Sequence, residues 1–112
     1  MLPKKHRLNR REFKVLFKTG KRIISLYFIL IYNLSFGSNE AKFGFIVSSV
    51  LSKKAVIRNK LKRRARAIIV KYSKDFISSG KIIFLFKKEC LNLSFKELEI
   101  EIINNLKKIK MF

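Results

Sequence analysis

Lys54-Ala55-Val56-Ile57-Arg58-Asn59-Lys60-Leu61-Lys62-Arg63-Arg64-Ala65-Arg66-Ala67-Ile68-Ile69 is the stretch on which the assembly of the chain turns. Its apolar residues do not alternate as those of a strand would; Ile57, Leu61, Ile68 and then Tyr72 return at helical intervals. With Arg58 at 0° and about 100° per residue, these four fall at about 260–320°, whereas Lys62, Arg66, Asn59 and Arg63 fall at about 40°, 80°, 100° and 140°. One face is apolar and packs inward, and another presents four cations around one amide. The helix is expected over residues 53–76, opened by Ser52 or its neighbour.

Strand-like segments flank this helix. Upstream, Lys42–Val50 alternates, with Phe43, Phe45 and Val47 on one face and Lys42, Gly44, Ile46 and Ser48 on the other. Downstream, Gly80 precedes a strand over Lys81–Lys87. Further out, Ile23–Leu34 is rich in β-branched and aromatic residues and reads as one strand. Its even set (Ile24, Leu26, Phe28, Leu30, Tyr32, Leu34) is the stronger core face, and its odd face, with Ile29 and Ile31, is suited to lining a groove. Gly37-Ser38-Asn39 makes the hairpin turn. At the front, Asn9-Arg10-Arg11-Glu12 has capping-box spacing before Phe13, Leu16 and Phe17, with Gly20 as the stop, so a short helix is expected over 10–18. At the back, Ser94-Phe95-Lys96-Glu97 is a second capping box, opening a helix over 95–109 with the stripe Phe95, Leu98, Ile102, Leu106 and Ile109. The order helix, strand, strand, helix, strand, helix gives an α+β fold, a two-layer α/β sandwich of a small sheet with three helices. Residues 1–112 form a single domain, with 1–8 expected to be loose.

Charge sets the partner class. Lys and Arg number 27 against 7 acids, a formal +20, far beyond the net charge of about 2–8 that solubility requires. From Ala41 to Lys74 there are eleven Lys or Arg and no acid, while four of the seven acids lie between Glu89 and Glu101. Like charges at i, i+4 (Arg58, Lys62, Arg66) cost an isolated helix roughly 0.2–0.5 kcal/mol per pair, a cost that phosphates would relieve. Nucleic acid is the polyanion that fits. Among the aromatics, Phe13 and Phe17 lie on one helix face beside the basic residues and are the best candidates for base stacking.

Other classes are poorly supported. Cys90 is the single cysteine, so there is no intrachain disulfide, and Cys90 with His6 makes no metal or nucleophile site. The apolar run Ile23–Leu34 is too short for a bilayer, which needs about 20 residues; no membrane association and a cytoplasmic location are expected. A carboxylate-metal nuclease would need acids among the cations, and a DNA-binding helix pair or dimer seam is not evident. A structural, for example ribosomal, RNA-binding protein shares the composition.

The ordered residues do resemble one family. Arg58-Asn59-Lys60-Leu61-Lys62-Arg63-Arg64-Ala65-Arg66, preceded by Ala55-Val56-Ile57, resembles the Arg-Asn-Arg region of the bacterial ribonuclease P protein. Leu8 with Glu12–Gly20 is similar to its N-terminal block, and Phe43–Ser48 to its second-strand block. The resemblance implies a protein subunit that does no bond-breaking itself. Its partners would be the ribonuclease P RNA, which is catalytic, and precursor tRNA, with one protein per RNA. It implies that Arg58, Asn59, Lys60, Lys62, Arg63 and Arg66 contact that RNA. It implies a cleft for the single-stranded 5′ leader lined by Phe13, Phe17, Ile29, Ile31 and Phe86, with Arg10, Arg11, Lys53 and Lys54 as auxiliary cations. No cofactor would be held by the protein, magnesium being used by the RNA. It also implies a left-handed β-α-β crossover, against the right hand that about 98% of such units take. This sequence departs from the family pattern at Lys60, at Ala67 and in Ser48–Lys54, where a cleft lysine after Ser48 is missing.

Overall fold

The computed structural model describes residues 6–35, 41–47, 53–77 and 79–112. The elements run α1 (Arg10–Thr19), β1 (Lys21–Ile24), β2 (Phe28–Ser35), β3 (Lys42–Ile46), α2 (Ala55–Tyr72), β4 (Ser79–Phe86) and α3 (Phe95–Lys108). Short 3-10 turns, Ser73–Asp75 and Lys88–Asn92, follow α2 and β4. The sheet is mixed, in the order β1-β2-β4-β3, with β3 parallel to β4 and the other neighbours antiparallel. The β3–α2–β4 path is therefore the parallel crossover unit.

Both expected capping boxes form. Asn9 accepts from the Glu12 N–H at 2.8 Å while the Glu12 carboxylate accepts from the Asn9 N–H at 3.1 Å. Ser94 and Glu97 repeat the exchange at 3.1 and 2.9 Å. Each box satisfies N–H groups that a helix start leaves unpaired. By contrast α2 begins at Ala55, two residues later than expected, with Lys54 at its cap and no side-chain cap bond. Residues 48–52, including Ser52, and the 37–39 turn lie outside the described residues.

The Ile23–Leu34 run is two strands rather than one. Ser25 breaks it: its N–H and hydroxyl both donate to the Phe28 carbonyl, at 3.0 and 2.8 Å, folding β1 back on β2. The pairing Ile23↔Leu30 then puts Ile23 on the core face and leaves Ile24 and Leu26, expected inside, 71% and 62% exposed. Phe28 and Leu30 are buried as expected.

The main core lies between one sheet face and α2 with α3. Phe28, Leu30, Phe43, Ile82, Phe84 and Phe86 meet Leu61, Ala65, Ile68 and Ile69 of α2 and Leu98, Ile102 and Leu106 of α3. Phe84 stacks on Phe45 at 5.7 Å and meets Phe28 edge-on at 5.5 Å, arrangements that aromatic quadrupoles favour. Against this two-layer sandwich, α1 packs on the opposite face, where Leu16, Ile31 and Ile83 form a second, smaller cluster.

The lead expected to be loose through residue 8 is docked from His6 onward. β3 is an edge strand, and its open backbone groups are a template for pairing. Leu8 N–H donates to the Phe43 carbonyl at 3.2 Å, Arg7 bridges Phe43 in parallel, and His6 Nδ1 lies 2.9 Å from the Ala41 carbonyl. Gly80 carries the strained backbone of β4, at φ +133°, passing so close to β2 that a Cβ would lie 2.5 Å from the Asn33 carbonyl oxygen; glycine alone tolerates this.

Candidate nucleic-acid interface

The register sorts the α1 face of the sheet into three rows across the strands. The first is polar: Asn33, Lys81 and Lys42. The second is Arg22, Ile31, Ile83 and Gly44. The third is wholly aliphatic: Ile24, Ile29, Leu85 and Ile46. Rows two residues apart along a strand are about 6.6 Å apart, so one helix cannot cover all three.

α1 lies along the second row. At its β3 end the Phe13 ring packs so close over Gly44 that a Cβ there would lie 2.6 Å from it, so only glycine admits this helix so close to the sheet. Leu16 then seats on Ile31 and Ile83. At the β1 end the Arg22 guanidinium lies 5.0 Å over the Phe17 ring and donates to the Phe17 carbonyl at 2.9 Å. Arg22 thus caps the helix end and fixes the ring together.

Glu12 ties α1 to the polar row, with Lys42 Nζ at 3.1 Å and Lys81 Nζ at 3.3 Å. The Asn9 backbone N–H, and then these two ammonium groups, hold its carboxyl below the usual carboxylate range against the opposing effect of burial. The aliphatic row on the other flank has no such cover. Ile29, Leu85 and Ile46 are only partly buried and Ile24 is bare, so the strip is a groove beside α1. Phe17, 39% exposed, stands on its wall.

Of the five residues expected to line a cleft, Phe13, Phe17 and Ile29 fall on this surface. Ile31 belongs to the same face but is 0% exposed, sealed under Leu16. Phe86 is corrected: its pairing with Phe28 puts it on the main-core face, 3% exposed and packed with Phe45 and Phe28. The β4 residue on the groove side is Leu85, its neighbour. Sequence reading missed Leu85, Ile24 and Ile46. Only Ile46 carried a signal, from the alternation of β3.

On α2 the buried face is Leu61, Ala65, Ile68 and Ile69. Ile57 and Tyr72 lie at its margins. The basic residues stay at the surface: Asn59, Lys60 and Arg63 are exposed, and Arg58, Lys62 and Arg66 are partly so. Among the described residues no carboxylate pairs with Lys60, Lys62, Arg63 or Arg66. The α3 acids reach only the last turn of α2, where Glu99 accepts from Lys71 at 3.2 Å and from the Tyr72 hydroxyl at 2.8 Å. Lys60 is set apart from the other motif residues; with Arg64 it rims a hollow of about 230 Å3 against Leu91 and Leu98. Arg10 lines another hollow, of about 510 Å3, with Phe13 and Lys14, while Arg11, Lys53 and Lys54 are exposed.

Among the described residues, no three His, Cys, Asp or Glu side chains cluster as a metal site, and no helix is long and apolar enough to cross a membrane. Burial pushes the Cys90 thiol up to about 12 and its Sγ donates to the Tyr27 carbonyl at 2.8 Å, which marks a packed rather than a reactive cysteine.

Comparisons with known proteins give the family. Residues 2–110 match the family described as Ribonuclease P. The chain is 34% identical to the ribonuclease P protein component of Syntrophomonas wolfei over 113 residues, covering 100% of this chain and 93% of that one. The RNase P protein of Thermotoga maritima superposes with a TM-score of 0.80 at 28% identity, over 91% of this chain and 96% of that one. A mutant Staphylococcus aureus RNase P protein with defective mRNA degradation activity shares the fold, with a TM-score of 0.86 at 22% identity over 97% and 92%. The chain belongs to the bacterial ribonuclease P protein family.

Proposed function

We propose that this chain is the subunit that lets a catalytic ribonuclease P RNA select precursor tRNA, through two surfaces. The acid-free face of α2, with Arg58, Lys62, Arg63 and Arg66 around Asn59, docks on the backbone of the catalytic RNA. Arg provides forked donors for phosphate oxygens and Lys a point charge. The aliphatic row beside α1 holds the single-stranded 5′ leader of precursor tRNA. Its bases lie on Ile29 and Leu85 and stack against Phe17, whose ring Arg22 keeps in place. Phosphates of the leader would be met by the exposed cations of α1, Arg10 and Arg11.

The protein breaks no bond in this reading. The RNA supplies catalysis and uses magnesium, and the protein raises affinity for leader-bearing substrate, one protein per RNA, in the cytoplasm. The observation that carries it is the uncovered aliphatic row flanked by an aromatic helix on an otherwise cationic protein. Such a strip is costly to leave in water and suits unstacked bases. Reconstitution with a bacterial ribonuclease P RNA at low magnesium should stimulate removal of the precursor leader. Cleavage equal to that of the RNA alone would reject the reading.

A further inference from the structure

The groove floored by Ile46, Leu85, Ile29 and Ile24 runs out at β1, the edge strand opposite β3. Round that edge the chain bends at residues 25–27 toward the C-terminal half of α3. Ile24 and Leu26 from the bend, with Glu101, Asn105, Lys107 and Lys108 from α3, line an open concavity of about 700 Å3. Apart from Ile24, which it shares with the groove, none of its lining belongs to the leader or catalytic-RNA surfaces.

Its lining has an unusual chemistry. Ile24 and Leu26 are the most exposed aliphatic residues of the bend, so one wall is bare hydrocarbon. Asn105 is 2% exposed; its amide nitrogen donates to the Glu101 carbonyl at 2.8 Å, while its Oδ1 is buried with no donor. A buried acceptor is costly until a donor reaches it. One turn back, the Glu101 carboxylate has no ion-pair partner among the described residues. Lys107 and Lys108, both exposed, stand at the rim. The site thus offers the unpaired Asn105 acceptor within, an apolar wall, and cations at the edge, with Ser25 and Asn104 completing the lining.

We infer that this concavity receives one nucleotide of the single-stranded RNA as it leaves the groove over β1, and takes a base carrying an exocyclic amino group. The amino group donates to Asn105 Oδ1, the base face lies against Ile24 and Leu26, and Lys107 and Lys108 meet the flanking phosphates. Adenine, cytosine and guanine each present such an amino group, whereas uracil has none, and its single ring donor, N3–H, is flanked by two carbonyl oxygens that would face the Asn105 and Glu101 acceptors. The inference rests on the leader-groove reading, from which the strand emerges at Ile24.

The test is an NMR titration of the full chain with short oligoadenylate and, separately, oligouridylate. The Ile29 and Leu85 methyl signals should shift with both, reporting the groove; the Asn105 side-chain amide should shift with oligoadenylate alone. Silence at all three positions would overturn the groove reading together with this one. Groove shifts with a silent Asn105 would overturn this inference only. Equal Asn105 shifts with both oligomers would overturn the amino-group selection. Asn105→Leu removes the acceptor and should weaken oligoadenylate binding roughly 2- to 10-fold, leaving oligouridylate unchanged. Since Asn105 is buried, the exposed Leu26→Ser serves beside it, with the same expected selectivity; unchanged oligoadenylate affinity in a folded Leu26→Ser protein would refute the apolar wall.

Discussion

Leu16→Ala tests how α1 is held, and through it the groove. Leu16 is buried to 2% between α1 and the fully buried Ile31 and Ile83, in a cluster separate from the main core. The substitution removes three carbons, about 2.4 kcal/mol of transfer free energy at about 0.8 kcal/mol per methylene. A cavity cost adds to this, but α1 is a single helix on an open face and can settle partway, so the total should fall near the low end of core Leu→Ala values, about 2.5–3.5 kcal/mol. Thermal unfolding should shift down by roughly 8–15 °C. Because the main core on the other face keeps its own side chains, amide exchange should accelerate first in α1, with α2 and β4 protected nearly as before. Affinity for leader-bearing precursor should drop while mature tRNA is little affected. A loss under about 1 kcal/mol, or exchange that speeds equally in α1 and α3, would refute the claim that this contact seats the helix.

Three further outcomes follow from the same geometry. Glu12→Gln abolishes ion pairs with two substantially exposed lysines and should cost about 0.5–1.5 kcal/mol at neutral pH. Because the Glu12 carboxyl is held below its ordinary value of 4.5, the stability it contributes is present above that value and is lost as the pH falls through the lowered one. Acid titration of unfolding should therefore bring wild type and variant together, and a gap that persists in acid would contradict the pairing. Phe17→Ala should weaken leader-bearing substrate by about 1–3 kcal/mol of stacking, measured as Kd against mature tRNA, and equal weakening of both would reject the groove wall. Gly80→Ala forces a side chain onto φ +133° and against the Asn33 carbonyl, and should cost about 2–4 kcal/mol in urea unfolding; a neutral substitution would show the backbone there to be relaxed.

The helices and the order of elements were legible because their signals are local. Asn9 with Glu12, and Ser94 with Glu97, declare helix starts through side chains three residues apart. The inward face of α2 follows from Leu61 and Ile68 at helical spacing. Strand faces were harder. Nothing in the apolar run from Ile23 to Leu34 marks a bend except Ser25, and a serine within a strand is ordinary until its hydroxyl and N–H both find the Phe28 carbonyl. That bend reverses the parity of β1, which is why Ile23 is inside and Ile24 outside. In β4, Ile82 to Phe86 is apolar without interruption: Ile82, Phe84 and Phe86 lie under α2 and α3, Ile83 lies under α1, and Leu85 floors the uncovered groove, so no alternation distinguishes Phe86 from Leu85. The groove itself depends on registers between strands distant in sequence, which single-chain periodicity does not carry. The cations of α2 were legible as a face, yet the separation of Lys60 toward the 88–92 turn needed the packing of α2 on α3.

The central claim is that α2 meets the catalytic RNA through phosphate contacts. The measurement closest to it is the salt dependence of Kd for ribonuclease P RNA, taken for the wild type and for a variant carrying Arg58→Gln, Lys62→Gln, Arg63→Gln and Arg66→Gln. Each neutralised phosphate contributes a slope of about 0.7–0.9 in log K against log salt, so the four substitutions should flatten that slope by about 3. An unchanged slope in a folded variant would contradict the account.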